Sequence, residues 1–523
     1  MRRVVFGLVL LAACATAAAQ QPPPPGLPTP RIQSVFPIGA KAGPPPKLVR
    51  FGLVIKSGYE VTITGTDLDE PEHLLFSHPG IKGEYIEPPE PPDAKKVDPK
   101  KAEPKKKERR RRGPANTPHK FRVTVAADVP PGTYDLRFVG KYGVSNPRAF
   151  VVGNLEEAEE KEPNNDVPQA QRVAIGTTIN GLFANSTDVD YTVFAGKKGQ
   201  RVLVSCVSSS IDGRATPLIE VFDSAGRKLA ANRNYRDNDA LADVTIPADG
   251  EYYVRLSPFA YQGGGPDYFY RLTISTDPWI DAVFPPAIEP GKPAQVTLYG
   301  RNLPGGQPAG FAFEGTPLEK LAVTITPPTD AAAASRLRFN GRIDPVTGLQ
   351  DGFEYRLKGP KGFSNGLPVY FAREKVVLKK NANANSPAAA EAIAAPCEVA
   401  GFPNARGDAD WYSFTAKKGE IFLIELNADR IGTEADFYFS VRDGKDPKRD
   451  LSGEQDDDPD SLHPFGFYTR TSDPPAYRFT APEDGKYFVM VGSRDAAAVV
   501  GPRAAYRLRV GPAKPDFRVV AMP

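Results

Sequence analysis

Apolar and polar residues alternate with a period of two in many short segments of the chain. Residues 121–125 and 252–256 show this alternation, which indicates half-buried β-strands. Asp-Gly dipeptides at 249–250 and 484–485 precede such segments and favour tight turns. Helical periodicity is sparse, and the best helix candidate is 386–395, with Ser386 as its N-cap. Many short strands separated by turns predict an all-β fold built from β-sandwiches.

Two sequence repeats interleave along the chain. The Asp-x-Asp pattern at 188–190 returns at 408–410, and a Lys-Lys-Gly triplet follows each copy at the same distance. A Val-Phe-Pro segment at 35–37 returns at 283–285, and the later Gly-x-Ser-Asn motif is also repeated. An A-B-A-B order of this kind predicts four tandem domains.

We therefore predict four β-sandwich units with flanking segments. The expected organisation is an export signal at 1–19, a proline-rich linker at 20–30, unit 1 at 31–152 with a disordered basic insertion at 86–119, unit 2 at 153–277, unit 3 at 278–373, unit 4 at 374–512 and a tail at 513–523. The insertion is rich in Lys, Arg and Pro and almost free of apolar residues, so it cannot bury enough surface to fold.

The first residues are typical of an export signal. Two arginines precede a short apolar run and a stretch of small residues, a pattern that predicts cleavage near 17–19. An alternative site resembles a lipobox, in which Cys14 would carry a lipid and give the only link to a membrane. The protein is expected in the periplasm, at the cell envelope or outside the cell.

Composition narrows the range of functions. The chain holds 55 prolines and 47 glycines in 523 residues, which excludes a large all-helical protein. With 66 basic and 63 acidic residues it is nearly neutral, and no nucleic-acid partner is expected. Four histidines and no recognisable catalytic motif predict that the protein is not an enzyme.

The two cysteines beyond the signal do not suggest a disulfide framework. Cys206 lies in an apolar run and is predicted to be a core residue, whereas Cys397 follows a proline and is predicted to lie in a loop. Pairing between them stays open at this point, although they fall in different units.

Units 2 and 4 resemble the bacterial pre-peptidase C-terminal (PPC) domain. Unit 2 carries Glu-Pro-Asn-Asn at 162–165, Asp-x-Asp-Tyr at 188–191 and Asp-Gly-x-Tyr at 249–252, whereas unit 4 lacks the first motif. Units 1 and 3 resemble immunoglobulin-like TIG/IPT domains through their Val-Phe-Pro starts. The arrangement is similar to exported multidomain proteins of planctomycete-type bacteria. The resemblance implies jelly-roll sandwiches that accompany secreted enzymes without being catalytic.

One group of oxygen-bearing residues in unit 2 is a candidate calcium site. In an extended chain, residues at i, i+2 and i+4 share a face, and hard oxygen ligands suit calcium. The candidate ligands are Glu160, Glu162, Asn164, Asp188 and Asp190. The calcium site of PPC-related domains is similar. The alternative is an acidic linker, with Asp166 capping a short turn at 167–172.

Three functions remain open from the sequence. The leading one is a non-catalytic exported protein whose modules act in binding, adhesion or as a stalk. The second is an accessory or truncated part of a secreted protease system, with an enzyme domain as partner. The third is a glycan- or collagen-binding module, with an extracellular polysaccharide or protein as partner.

Overall fold

The computed structural model describes most of the chain between residues 27 and 514. The described ranges are 27–43, 49–50, 53–54, 58–88, 118–236, 238–261, 263–327, 350–360, 362–433, 435–457, 471–495 and 498–514. Several predictions lie outside these residues. They concern the export signal, Cys14 and most of the linker, the basic insertion and the tail. Within the described ranges, no helix has the length and apolar character needed to cross a bilayer.

Unit 1 is built on one nine-stranded sheet in the order β1-β5-β8-β7-β6-β9-β11-β2, with β10 paired to β9 and a separate β3-β4 pair. Its alternating side chains point into one core. The strands are β1 Arg31–Phe36, β2 Gly39–Lys41, β3 Val49–Arg50, β4 Leu53–Val54, β5 Tyr59–Thr66, β6 Pro71–Phe76, β7 Ile81–Tyr85, β8 His119–Val125, β9 Gly132–Gly140, β10 Gly143–Val144 and β11 Arg148–Gly153.

Unit 2 is a sandwich of two five-stranded sheets, β12-β14-β21-β16-β19 and β13-β15-β20-β17-β18. The predicted strand at 252–256 is the centre of β20, with Tyr252, Val254 and Leu256 buried. The strands are β12 Glu156–Glu159, β13 Gln171–Arg172, β14 Thr177–Leu182, β15 Asp190–Gly196, β16 Arg201–Val207, β17 Pro217–Asp223, β18 Lys228–Asn232, β19 Ala240–Thr245, β20 Gly250–Pro258 and β21 Phe269–Ser275.

Unit 3 has a four-stranded sheet, β22-β24-β26-β25, and a three-stranded sheet, β23-β28-β27. The first strand of unit 3 repeats the geometry of the first strand of unit 1. β22 pairs antiparallel with β24 as β1 pairs with β5, and each first strand has a register shift between its second and fourth residues. The strands are β22 Trp279–Phe284, β23 Ala287–Ile288, β24 Ala294–Arg301, β25 Gln307–Phe313, β26 Thr316–Ile325, β27 Gly352–Tyr355 and β28 Leu367–Phe371.

Unit 4 repeats the topology of unit 2. Its sheets are β29-β31-β37-β33-β35 and β30-β32-β36-β34, so each strand has a counterpart in the same position of unit 2. The strands are β29 Val376–Leu378, β30 Glu391–Ala392, β31 Cys397–Gly401, β32 Asp410–Ala416, β33 Ile421–Asn427, β34 Phe437–Asp443, β35 Tyr477–Thr480, β36 Gly485–Ser493 and β37 Tyr506–Pro512.

The fold class is therefore all-β, as predicted. The helical turns in the described residues are short 3-10 helices at Val167–Gln169, Ser209–Ile211, Phe259–Tyr261, Pro387–Ala389, Asp429–Ile431 and Pro502–Ala504. The side chain of Asp166 accepts a hydrogen bond from the Val167 amide, which is the predicted cap.

Three local predictions were wrong. The candidate helix at 386–395 is a single turn, because the chain then pairs with β32 as strand β30. Cys397 begins β31 and is buried, and both it and Cys206 are free thiols in separate cores. His119 begins β8 and therefore does not belong to the insertion.

Buried polar contacts hold units 2 and 3 together. Arg301 of unit 3 pairs with Asp281 at 3.2 Å and with Asp243 of unit 2 at 3.3 Å. Tyr235 of unit 2 donates to Asp281 at 2.7 Å and accepts from the Trp279 indole at 2.9 Å. Because these groups are almost fully buried, separating the units would expose or strand several charges.

The other junctions use the same combination of apolar and ionic contacts. Ile211 and Phe269 of unit 2 pack into the core of unit 1. Between units 3 and 4, Arg507 pairs with Glu398 at 2.6 Å and donates to the carbonyl of Phe371 at 3.1 Å. The four units thus form a chain of packed neighbours in which each junction is buried.

Candidate calcium site and its counterpart in unit 4

The candidate carboxylates of unit 2 meet where β12 ends and β15 begins. Glu160 directly follows β12, and Asp190 is the first residue of β15. Glu160, Glu162 and Asp190 each offer an oxygen, and these oxygens lie within 4.8 Å of one another. Asp190 is buried and Glu160 is partly buried, so the group is partly shielded from water.

Tyr270 joins two of these carboxylates from the opposite strand. Its hydroxyl lies 2.9 Å from Oε1 of Glu160 and 2.8 Å from Oδ2 of Asp190. A hydroxyl has one hydrogen to donate, so two ionised carboxylates cannot both be satisfied by it. Burial, and then the neighbouring Glu160, raises the pKa of Asp190 well above its usual range. Without a cation, this surrounding disfavours the ionised form of Asp190.

Two oxygens at the site are buried without a hydrogen-bond partner. They are Oδ1 of Asn164 and Oδ1 of Asp190, and each residue is only 2% exposed. The amide of Asn164 is held in place because its Nδ2 donates to Glu160 at 3.0 Å. Buried polar atoms nearly always have partners, and oxygens of this kind fit a hard cation.

The structure corrects part of the predicted arrangement. Glu160, Glu162 and Asn164 do not share a strand face, because β12 ends at Glu159 and the following residues form a loop. Asp188 also precedes β15, and its Oδ2 accepts from the Ala184 amide at 2.6 Å. Asp188 therefore lies beside the group of three carboxylates but not within it.

The residues present fit a calcium ion. Glu160, Glu162, Asp190 and Asn164 offer oxygens of the type and number that calcium uses, with Asp188 nearby. None of the four carboxylates makes an ion pair with a lysine or arginine in the part of the chain that the structure describes. A divalent ion would neutralise charge that nothing else in this region balances.

The strand register identifies the counterpart of this site in unit 4. Gly181 pairs with Tyr270 in unit 2, and Gly401 pairs with Tyr506 in unit 4. The amide of Glu160 donates to the carbonyl of Asn180, and the amide of Lys379 donates in the same way to Ala400. Lys379 thus occupies the position of Glu160. The amide of Tyr191 donates to the carbonyl of Asn164, and the amide of Trp411 donates in the same way to Ala384, so Ala384 occupies the position of Asn164.

Lys379 supplies a positive charge at the centre of the unit 4 site. Its ammonium contacts Oδ1 of Asp410, lies 3.6 Å from Asp408 and donates to the carbonyl of Phe402 at 3.1 Å. The three charged side chains are each at most 5% exposed. Burial raises the pKa of Asp410, and Lys379 opposes that effect. Unit 4 therefore balances the Asp-x-Asp pair with its own side chain.

Sequence reasoning missed two residues that define these sites. Tyr270 lies in an alternating strand segment, where its ring is expected in the core, although a tyrosine whose hydroxyl is buried usually has a polar partner. Lys379 was missed because unit 4 has one residue more than unit 2 between the positions equivalent to Glu160 and Asn164, so that a comparison of motifs pairs the wrong residues.

A second acidic group lies in unit 4. Oxygens of Asp436, Asp456 and Asp457 come within 4.8 Å of one another, and burial together with these neighbours raises the pKa of Asp436 to about 6. Arg494 pairs with Asp456 at 2.5 Å and with Glu454. An arginine therefore already balances part of this group.

The reactive side chains have structural contacts. Burial raises the pKa of both cysteine thiols, which disfavours the nucleophilic thiolate. Nδ1 of His78 accepts from the Gly80 amide at 3.1 Å, and its ring packs on Tyr134. His73 lies in strand β6.

Comparison with known proteins gives a family for part of the chain. The family described as "Bacterial pre-peptidase C-terminal domain" matches residues 408–493, which lie within unit 4. A probable subtilase-type serine protease of Deinococcus radiodurans is 25% identical over 25% of this chain and 22% of its own length. The chain thus matches less than a quarter of that protease.

Solved structures give similarities of low overall score. The pre-peptidase C-terminal domain of a collagenase from Bacillus anthracis is 17% identical and is covered completely by 22% of this chain, with a TM-score of 0.18. The SGBP-B protein of Bacteroides ovatus, solved with a mixed-linkage heptasaccharide, is 9% identical over 87% of this chain and 74% of its own, with a TM-score of 0.13. The family match at 408–493 places a pre-peptidase C-terminal domain within unit 4, and unit 2 has the same strand order as unit 4.

Proposed function

We propose that this protein is a non-catalytic exported binding scaffold in which calcium fastens unit 2 to the chain that enters it from unit 1. The observation that carries the proposal is the group of Glu160, Glu162 and Asp190, together with the buried oxygens of Asn164 and Asp190 that have no hydrogen-bond partner. Calcium is the cation that suits an all-oxygen site of this kind.

The site would act as a clasp between two segments of unit 2. Glu160 and Glu162 belong to the segment that follows β12, whereas Asp190 begins β15. The bound ion would neutralise the carboxylates. These residues would then hold the entry segment against the sandwich, so that unit 1 keeps its position. Extracellular modules bind calcium with dissociation constants of about 10⁻⁴–10⁻³ M, which suits an exported protein.

The wider architecture supports a binding role. The PPC domain in unit 4, the buried junctions and the β-rich fold favour a chain of modules that presents surfaces to an extracellular polysaccharide or protein. Units 1 and 3 would be the TIG/IPT-like modules of that chain, and the sequence at 1–19 would direct its export.

Calorimetry of the full chain tests the calcium site. We expect one unfolding transition to shift to higher temperature in calcium relative to chelator, because a ligand that binds only the folded form stabilises it. Asp190→Asn should remove the shift, whereas Asp223→Asn, at the end of β17 and outside the candidate site, should keep it. Equal transitions in calcium and chelator would contradict the proposal.

A role beside a secreted protease is the second candidate. It is favoured by the PPC match and by the relative from Deinococcus radiodurans. In that case the chain would dock onto a protease or its substrate. Co-purification with a secreted subtilase from the producing cells would support this candidate over a free-standing scaffold.

A further inference from the structure

Units 1, 2 and 3 enclose a cleft of about 450 Å³. Its floor is the outer face of the unit 2 sheet that contains β14, β21 and β16. Pro131 and Thr133 of unit 1 form one wall, and Glu354, Arg356 and Phe363 of unit 3 form the other. This volume lies within the range of about 300–1,000 Å³ that is typical of small-molecule sites.

A row of hydroxyl groups crosses the floor of the cleft. Thr178 on β14 pairs with Thr273 on β21, and Thr273 in turn pairs with Ser205 on β16. Direct cross-strand partners are about 4.8 Å apart, and the two threonine oxygens are 2.9 Å apart. Thr178 is only 5% exposed, whereas Thr273 and Ser205 are partly exposed. Because a hydroxyl can donate and accept, Thr273 and Ser205 offer neutral hydrogen bonding in both directions on the floor, with Thr178 supporting Thr273 from behind.

The same positions in unit 4 have opposite chemistry. By the shared topology, Thr178, Thr273 and Ser205 correspond to Glu398, Arg509 and Glu425. Arg509 pairs with Glu425 at 2.5 Å, and the equivalent space in unit 4 is only about 110 Å³. Unit 4 thus has paired charges at these three positions, whereas unit 2 has hydroxyls there and a larger open space.

Aromatic rings line the cleft beside the hydroxyl row. Phe363 is 39% exposed, and Trp279 is partly exposed. The indole of Trp279 is fixed by its hydrogen bond to Tyr235. The charged residues of the lining are three arginines and three acidic residues, namely Arg236, Arg271, Arg356, Asp239, Asp277 and Glu354, and Arg356 contacts Glu354 at 2.6 Å. The cleft therefore offers apolar faces and hydroxyls, and the formal charges of its lining cancel.

We propose that this cleft binds a short segment of a neutral polysaccharide. The C–H faces of pyranose rings pack against aromatic side chains, while sugar hydroxyls exchange hydrogen bonds with threonine and serine hydroxyls and with paired Arg and Glu side chains. A peptide strand fits less well, because the floor presents side chains and no open strand edge. This proposal rests on the proposed role as a binding scaffold and names its ligand class.

Isothermal titration calorimetry of the full chain tests sugar binding in the cleft. The probes are cellohexaose, laminarihexaose, mannohexaose and xylohexaose. We expect at least one of them to bind at millimolar concentration or below. Phe363→Ala should weaken that binding roughly fivefold to tenfold. Tyr142→Ala is the matched control, because Tyr142 is equally exposed at 39% and lies in unit 1 outside the cleft. It should leave binding unchanged.

A second variant closes the cleft without removing a packed ring. Ser205→Glu with Thr273→Arg imports the ion pair that unit 4 uses at these positions, and it should abolish binding while the unfolding temperature is kept. The proposal would be overturned if none of the four sugars binds, or if the Phe363 and Tyr142 variants weaken binding equally. Binding of an extended peptide instead of a sugar would overturn it as well. The calcium shift, measured on the same samples, reports separately on the scaffold role.

Discussion

Replacing Glu160 with lysine should make unit 2 independent of calcium. The change removes one carboxylate from the group with Asp190 and introduces a buried ammonium at the position that Lys379 occupies in unit 4. Since the two units share their strand order and register here, the new lysine should reach Asp190 as Lys379 reaches Asp410.

The size of the effect follows from two opposing contributions. A pair of charges 4 Å apart gains about 4 kcal/mol at an effective dielectric constant of 20. The variant also removes the acceptor of the Leu182 amide at 2.8 Å and of Asn164 Nδ2 at 3.0 Å, at a cost of about 1 kcal/mol each, whereas the Tyr270 hydroxyl keeps Asp190 as its acceptor. A net gain of about 2 kcal/mol in chelator corresponds to roughly 6–8 °C for a domain of this size.

Differential scanning calorimetry of the full chain in calcium and in chelator measures this directly. Wild-type protein should show a gap between the two conditions of about 2.7 kcal/mol at a hundredfold excess of calcium over its dissociation constant. In the Glu160→Lys protein, unit 2 should unfold at the same temperature in calcium and in chelator. Glu160→Gln is the control, since it removes the carboxylate without adding a cation. A Glu160→Lys protein that is less stable than wild type in chelator would refute the reasoning.

Three further predictions concern the same groups and the fold around them. In chelator, the unfolding temperature of unit 2 should fall as pH rises from about 5 to 8. The reason is that the pKa of Asp190 is raised in the folded state, which therefore holds a proton that the unfolded state releases. In calcium, the unfolding temperature should not change over this pH range. Lys379→Met should destabilise unit 4 by about 3–5 kcal/mol by stranding Asp410, as calorimetry can show. The purified protein should not cleave casein, and proteolysis in a fluorescent casein assay that persists after repurification would contradict the non-catalytic role.

The strands of units 2 and 4 could be predicted because their signals are local. Alternation over five residues and an Asp-Gly turn suffice to predict β20, and the repeat then predicts β36. The segment at 386–395 behaved differently, because its helical signals were overridden by pairing with β32, where Ile393 donates to the carbonyl of Ser413. Tertiary pairing of this kind is not visible in a local pattern.

The candidate site could be predicted only in part. The Asp-x-Asp motif identified Asp188 and Asp190, and the acidic segment identified Glu160, but spacing could not show that Asp188 turns to the backbone. The contribution of Tyr270 comes from a strand eighty residues away in sequence, and a hydrogen bond across that separation depends on the register of the sheet. The sequence therefore indicated the chemistry of the site, whereas its geometry required the fold.

Units 2 and 4 share their strand order but differ in the polar groups that they bury. At the strand start, unit 2 has Glu160, whose charge the proposed calcium ion would balance, whereas unit 4 has Lys379 and carries its own cation. On the sheet face, unit 2 has neutral hydroxyls and an open cleft, whereas unit 4 has the Arg509 ion pairs. In both places, unit 4 balances its buried charges with its own side chains, whereas unit 2 leaves room for an external ligand. Buried charges that are paired with each other leave little hydrogen-bonding capacity for an outside ligand, and loss of one partner would strand the other, so unit 4 is suited to a structural role. Calcium and any ligand of the cleft would then act on the same unit, the one that links unit 1 to the rest of the chain.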